Sequence, residues 1–319
     1  MIFNNTFIRP GEFNWTRMEN TFRMMKKLVY ILVLLGCWSC EDVIDVETPT
    51  GDQRLIVDGL IRVDTDEPYI PVEIKVSMTA GFFNETTPTS VESMLIIYER
   101  MEDGTVSSTG VSNLAEKEPG TGIYVPDPNF SSDQRIGIAA ADEDIRFTLL
   151  IDHQGRRYAG QTRYVPAVPV DRLEQGTETL FDEDETEIIV TFTDEPERDN
   201  FYVFDFGFGD YLVTEDEFYK GQQFEFSYFY DRTFEPGTEL EISILGADRG
   251  FYNYMDQLIE QGGEPQGPFQ TPVATVRGNI FDVTGLDNID VLDNVDQPDN
   301  FPLGYFAIVQ EYSSSISTE

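Results

Sequence analysis

The chain has 319 residues, and the side chains that could do chemistry are few in kind. There is one histidine, His153, and there are two cysteines, Cys37 and Cys40, against 59 aspartates and glutamates. One histidine rules out a histidine-rich metal site. His153 lies in Asp152-His153-Gln154-Gly155, which reads as a hairpin turn. A general base needs partners in a cleft, and a hairpin tip supplies none, so a solvated turn is expected there. What remains is carboxylate chemistry. A glycoside hydrolase needs two carboxylates about 5–9 Å apart, and no pattern here selects a pair. The run Asp182-Glu183-Asp184-Glu185 reads as a solvated loop. A second acidic segment has order: Asp287, Asp290, Asp293 and Asp296 recur every third residue, with Leu286, Ile289, Leu292 and Val295 between them. That period suits a 3₁₀ or irregular turn packing its apolar edge. Its functional reading is calcium, which oxygen ligands suit, although no EF-hand pattern is present. No other cofactor is implied.

Aromatic residues form two runs, Phe201 to Phe208 and Phe224 to Tyr230. Core packing accounts for most of them, because a sheet buries one face. The first run is apolar on both faces, which makes Phe204, Phe206 and Phe208 candidates for partner contact.

The start of the chain says where such residues work. Met24-Met25-Lys26-Lys27 is a basic segment, Leu28 to Leu35 an unbroken apolar run, and Gly36-Cys37-Trp38-Ser39-Cys40 a cleavage region. This is the order of a secretory signal, and the run is far shorter than the about 20 residues a membrane span needs. A cysteine at the cleavage site points to a lipoprotein, acylated on Cys40, with Cys37 the alternative. Both cysteines lie in this region, so the exported part carries no disulfide and no thiolate nucleophile. Residues 1–23 precede the signal and read as an upstream extension from a mis-assigned start; 24–39 are the signal peptide and 40–54 an acidic tether.

The net charge of −38 repels phosphate, so no nucleic-acid partner is expected. Alternation of period two dominates the rest, clearest in Val72, Ile74, Val76, Met78 and Ala80. Asp103-Gly104 marks a hairpin turn. The expected fold is all-β: two consecutive antiparallel sandwiches, immunoglobulin- or transthyretin-like, at 55–166 and 170–312. Val165-Pro166-Ala167-Val168-Pro169-Val170 is the extended connector between them. The second carries one inserted helix near 249–261. Asp248 caps that helix, and Phe251, Tyr254, Met255, Leu258 and Ile259 share its apolar face. Residues 313–319 read as a disordered tail.

These segments resemble a family of bacterial surface lipoproteins called domain of unknown function 4249. The resemblance is carried by Cys40-Glu41-Asp42-Val43-Ile44-Asp45-Val46, Leu55-Ile56-Val57-Asp58-Gly59 and Gly122-Ile123-Tyr124. Later come Gly267-Pro268-Phe269 with Pro272, Val276-Arg277-Gly278-Asn279-Ile280 and Leu303-Gly304-Tyr305-Phe306. The family occurs in diderm bacteria rich in TonB-dependent transporters. The resemblance implies a lipid-anchored outer-membrane protein facing the cell exterior, a non-enzymatic accessory of a TonB-dependent barrel in nutrient uptake. It defines no catalytic or binding residue. An adhesive surface protein is the second reading and a carboxylate-dependent glycoside hydrolase the third.

Overall fold

The structure is a computed structural model that describes residues 53–80, 86–181, 184–262, 275–286 and 301–319. The described residues between Thr50 and Glu319 form one compact unit. The first strands are β1 (Leu55–Val63), β2 (Ile74–Met78), β3 (Thr87–Pro88), β4 (Ser93–Glu102), β5 (Thr105–Glu116), β6 (Ile123–Pro126), β7 (Ile145–His153) and β8 (Arg156–Val165). Then come β9 (Val170–Gln175), β10 (Thr186–Thr193), β11 (Phe201–Asp205), β12 (Tyr211–Glu215), β13 (Gln223–Tyr230) and β14 (Glu239–Ala247). Helix α1 (Arg249–Gly262), β15 (Ile280–Asp282) and the long β16 (Leu303–Ser317) complete the described elements.

Two consecutive sandwiches are not what forms. Strands β16-β1-β2-β6-β5-β4-β7-β8 pair in that order, and β8 pairs back onto β16, closing an eight-stranded barrel. Closure depends on the last strand. β16 runs parallel to β1 from Ile56↔Leu303 to Val63↔Gln310, and parallel to β8 at Ile308↔Tyr164 and Val309↔Val165. The reason the sequence misleads is geometric. Every strand of a closed barrel alternates inward and outward residues just as a sandwich strand does, so alternation cannot show which strand pairs with which.

The barrel interior is filled. β1 turns Val57, Ile61 and Val63 inward, β7 turns Phe147, Leu149 and Ile151 inward, and Phe306 and Ile308 arrive from β16. Beyond Gln310, β16 leaves the barrel and pairs antiparallel with β14, from Leu245↔Glu311 to Glu239↔Ser317. The expected disordered tail is therefore mostly strand, through Ser317. β14 pairs with β11, and β11 with β12. A separate sheet, β13-β10-β9, lays Ile188, Val190 and Phe192 against Tyr202, Phe204, Ile242 and Ile244. Helix α1 covers the other face, where Phe251 and Met255 pack with Phe201, Val203, Leu245, Ala307 and Val309. Asp248 caps it as expected, its Oδ1 accepting from the Phe251 N–H at 2.7 Å.

The connector from β8 to β9 is no exposed linker. Ala167 and Val168 are buried, and the Ala167 N–H donates to Gln310 Oε1 at 3.0 Å. Arg62 ties the same region together, reaching Asp205 at 2.6 Å and Glu311 at 3.1 Å.

Candidate anion-binding cleft

Outward residues of the barrel wall form one side of a wide concavity. Ile145 and Phe147 of β7 point inward, so Arg146 between them points out; Arg163 does the same on β8. The opposite side comes from Arg198, in the loop before β11, and from Arg249, the first residue of α1. The cleft encloses about 510 Å³. Its charged lining is these four arginines against Glu143, Asp199 and Asp248. In a chain of 21 basic and 59 acidic residues, that local excess of cations is the reverse of the whole.

Each carboxylate is already committed. Glu143 accepts from Arg198 at 2.6 Å, while its carbonyl accepts from Arg163 at 2.8 Å. Asp199 pairs with Lys220, which holds its carboxyl below the usual range by a hydrogen bond. Asp248 caps the helix. Arg163 and Arg249 have no carboxylate within ion-pair distance among the described residues; Arg249 instead lies 4.8 Å over the Phe201 ring. Arg198 Nε is buried with no hydrogen-bond partner. Tyr164, 7 % exposed, also lines the cleft, and burial first, then neighbouring Tyr312 and Glu143, pushes its phenol up to about 12.

The loop that presents Arg198 is fixed by a buried acid. Asp194 accepts from the Tyr202 hydroxyl at 2.6 Å, from Asn200 Nδ2 at 3.0 Å and from the Gly221 N–H at 2.7 Å. Asn200 in turn donates through its N–H to Asp216 at 3.0 Å. Burial, with Asp194 second, raises the Tyr202 phenol strongly. The cleft arginines are thus set on a strand pair, a capped helix and a hydrogen-bonded loop. Guanidinium groups stay charged above pH 12 and present several donors in a fixed fork, so they bind oxyanions and do not exchange protons at neutral pH.

The residues singled out from the sequence fall elsewhere. Phe204 and Phe206 are 0 % and 1 % exposed and belong to the core between the two sheets, so they offer no contact surface. Phe208 is 63 % exposed. It sits in a run of three left-handed residues, Gly207, Phe208 and Gly209, at φ of 74°, 58° and 88°. That backbone is strained for a phenylalanine, and Phe234 at 5.7 Å and the Arg232 guanidinium at 5.1 Å flank the ring. Asp287, Asp290, Asp293 and Asp296, like Cys37 and Cys40, lie outside the described residues. Of the acidic run, Glu185 accepts from the N–H groups of Leu180 and Phe181 and so closes a turn. His153 is not a solvated turn residue: it is 4 % exposed. The turn is Gln154-Gly155, at φ of 51° and 72°, which leaves His153 as the last residue of β7 on its inward face. The four cleft arginines carry no motif. Their only mark in the sequence is alternation, which places Arg146 and Arg163 opposite to the buried residues beside them.

Residues 41–314 match the family described as domain of unknown function DUF4249. The chain belongs to the DUF4249 family. No curated protein matches it. A solved structure from work on host cell surface retention of a 1.5-MDa bacterial ice-binding adhesin is similar at 8 % identity with a TM-score of 0.19, over 83 % of this chain and 63 % of that one. The chain thus spans less than two thirds of that structure. At that TM-score the likeness bears on neither fold nor function. Among the described residues of this DUF4249 protein, no helix is long and apolar enough to cross a membrane.

Proposed function

We propose that this DUF4249 protein is a non-enzymatic binding lipoprotein, held on the outer membrane by acylated Cys40 and serving a TonB-dependent barrel in nutrient uptake. The observation that carries the binding role is the arginine cleft. It gathers four permanent cations in a chain of net charge −38; Arg146 pairs with Glu99 and Arg198 with Glu143, while Arg163 and Arg249 have no carboxylate within ion-pair distance among the described residues. Such a cleft concentrates a small polyanion against the field of the surrounding surface. A hydrolase would need a carboxyl with a raised pKa beside an ionised one. Among the described residues, the carboxyls that shift, Glu116, Asp133, Asp142, Asp152 and Asp199, all shift down. Phe208 is the aromatic contact assigned to the partner, because strained backbone that exposes a ring is retained where the ring is used. The signal at 24–39 and the family supply the membrane and transporter parts of the reading.

Calorimetric titration with citrate, a compact trianion, tests the cleft. Citrate binds the full chain, and Arg163→Gln or Arg249→Gln each weakens it about tenfold, the scale of one lost charge-assisted hydrogen bond. Equal affinity in both variants, or no heat with the unaltered chain, removes the cleft as the binding site.

A further inference from the structure

The closed barrel has a second concavity, at the end where β7 turns into β8. It encloses about 480 Å³ and is bordered by the start of β1, the end of β2 and the segment leading into β16. His153 lines it. The inward series of β7 runs Ile145, Phe147, Leu149, Ile151, His153, so the strand that fills the barrel with hydrocarbon ends on an imidazole. That imidazole is 4 % exposed, and neither Nδ1 nor Nε2 has a hydrogen-bond partner among the described residues. A buried polar group left unpaired is destabilising, and native structures seldom carry one without a use.

The charged side chains described in its lining are of one sign. Arg54 and Arg156 are the charged lining residues described besides the histidine, and no described carboxylate lines the cavity. In so acidic a chain that absence is selective. Both guanidiniums are also positioned. Arg54 donates to the Phe301 carbonyl at 3.2 Å and lies 3.9 Å over the Phe301 ring, and Arg277 stacks on the same ring at 3.9 Å. Arg156 is steadied by Asp282 at 2.9 Å. One pinning bond from each leaves further N–H donors of the fork available.

We propose that this barrel mouth is a second binding site, for a small ligand bearing an oxyanion group, a carboxylate or a phosphate, received by Arg54, Arg156 and the His153 imidazole. It is separate from the arginine cleft: the two share no lining residue. Imidazole N–H and guanidinium N–H both donate to oxyanions, while Leu55, Met78 and Pro302 leave an apolar wall for the rest of the ligand.

The chain's single histidine makes the test selective. With histidine labelled in the full chain, the imidazole carbon and nitrogen resonances report this mouth alone. Inorganic phosphate and succinate are titrated separately. The expected result is a saturable shift of the imidazole signal with at least one of them, weakened about tenfold or more in Arg54→Gln or Arg156→Gln. A response to phosphate only assigns a phosphate ligand, and a response to succinate only assigns a carboxylate. Removing Arg156 takes one ion-pair partner from the buried Asp282 carboxylate, so each variant is read only if it keeps the circular dichroism of the unaltered chain. Should neither fold, the unaltered chain decides. No shift with either anion, a shift that never saturates, or the same saturable shift in a folded variant overturns the proposal.

Discussion

Asn279 joins three segments through one side-chain amide. Its Nδ2 donates to the carbonyls of Gln161, at 3.1 Å, and Phe306, at 2.7 Å, and its Oδ1 accepts from the Phe306 N–H at 2.8 Å. Beside it, a Cβ on Gly278 would stand 1.6 Å from the Gly304 carbonyl oxygen, so only glycine allows that crossing. Asn279→Ala is expected to cost about 1–3 kcal/mol, because it leaves the Phe306 backbone unpaired; Gly278→Ala should cost more. Urea unfolding measures both, and an unchanged midpoint for Asn279→Ala contradicts this role. The stretch Val276 to Ile280 was legible as a motif in the sequence, yet its work is joinery between β15, β8 and β16. Asp152 offers a pH test. The Arg157 hydrogen bond first, then Ser93, holds its carboxyl below the usual range. A depressed carboxylate stabilises the fold above its unfolded pKa, and that contribution fades as pH falls through the lower folded value. The urea midpoint should therefore drop below about pH 4, and less steeply in Asp152→Asn; parallel pH profiles would refute the pairing. His153 shows how narrow the margin of a sequence reading is. Placing the turn one residue early made an inward strand residue look like a solvated tip, although counting by twos from Ile145 reaches it.

Local signals made some elements readable. Helix α1 announced itself through the Asp248 cap and the 3.6-residue spacing of Phe251 and Met255, because both marks lie within the segment. The Asp103-Gly104 turn was equally local, and its φ values of 47° and 75° fit the paired left-handed turn. The last half of β16 was not readable. Ser313-Ser314-Ser315 has no apolar alternation, and the strand exists because β14 lies alongside, with the Ser243 and Ser313 hydroxyls 2.7 Å apart. Truncation after Gln310 is therefore expected to unpair β14 along Glu239–Leu245 and destabilise the protein by several kilocalories, far beyond the effect of trimming an exposed tail. Urea unfolding of the shortened chain checks this, and wild-type stability would restore the disordered-tail reading.

Across the whole molecule, the barrel and the cleft share one cause of concealment. Closure joins β16 to β1 and β8 across most of the chain length, and the cleft joins Arg146 and Arg163 to Arg198 and Arg249 from elements that meet only after closure. Composition and local period carry no information about such pairings. What composition did carry was the acidic field, against which a concentration of arginines has meaning. We propose that this molecule uses that surface as the binding accessory of an outer-membrane transporter. The most direct measurement is a mild-detergent pull-down of the tagged full chain from native outer membranes, with mass spectrometry of the eluate. The account predicts a TonB-dependent barrel in stoichiometric amount. Recovery of the protein alone, with its lipid anchor intact, would contradict it.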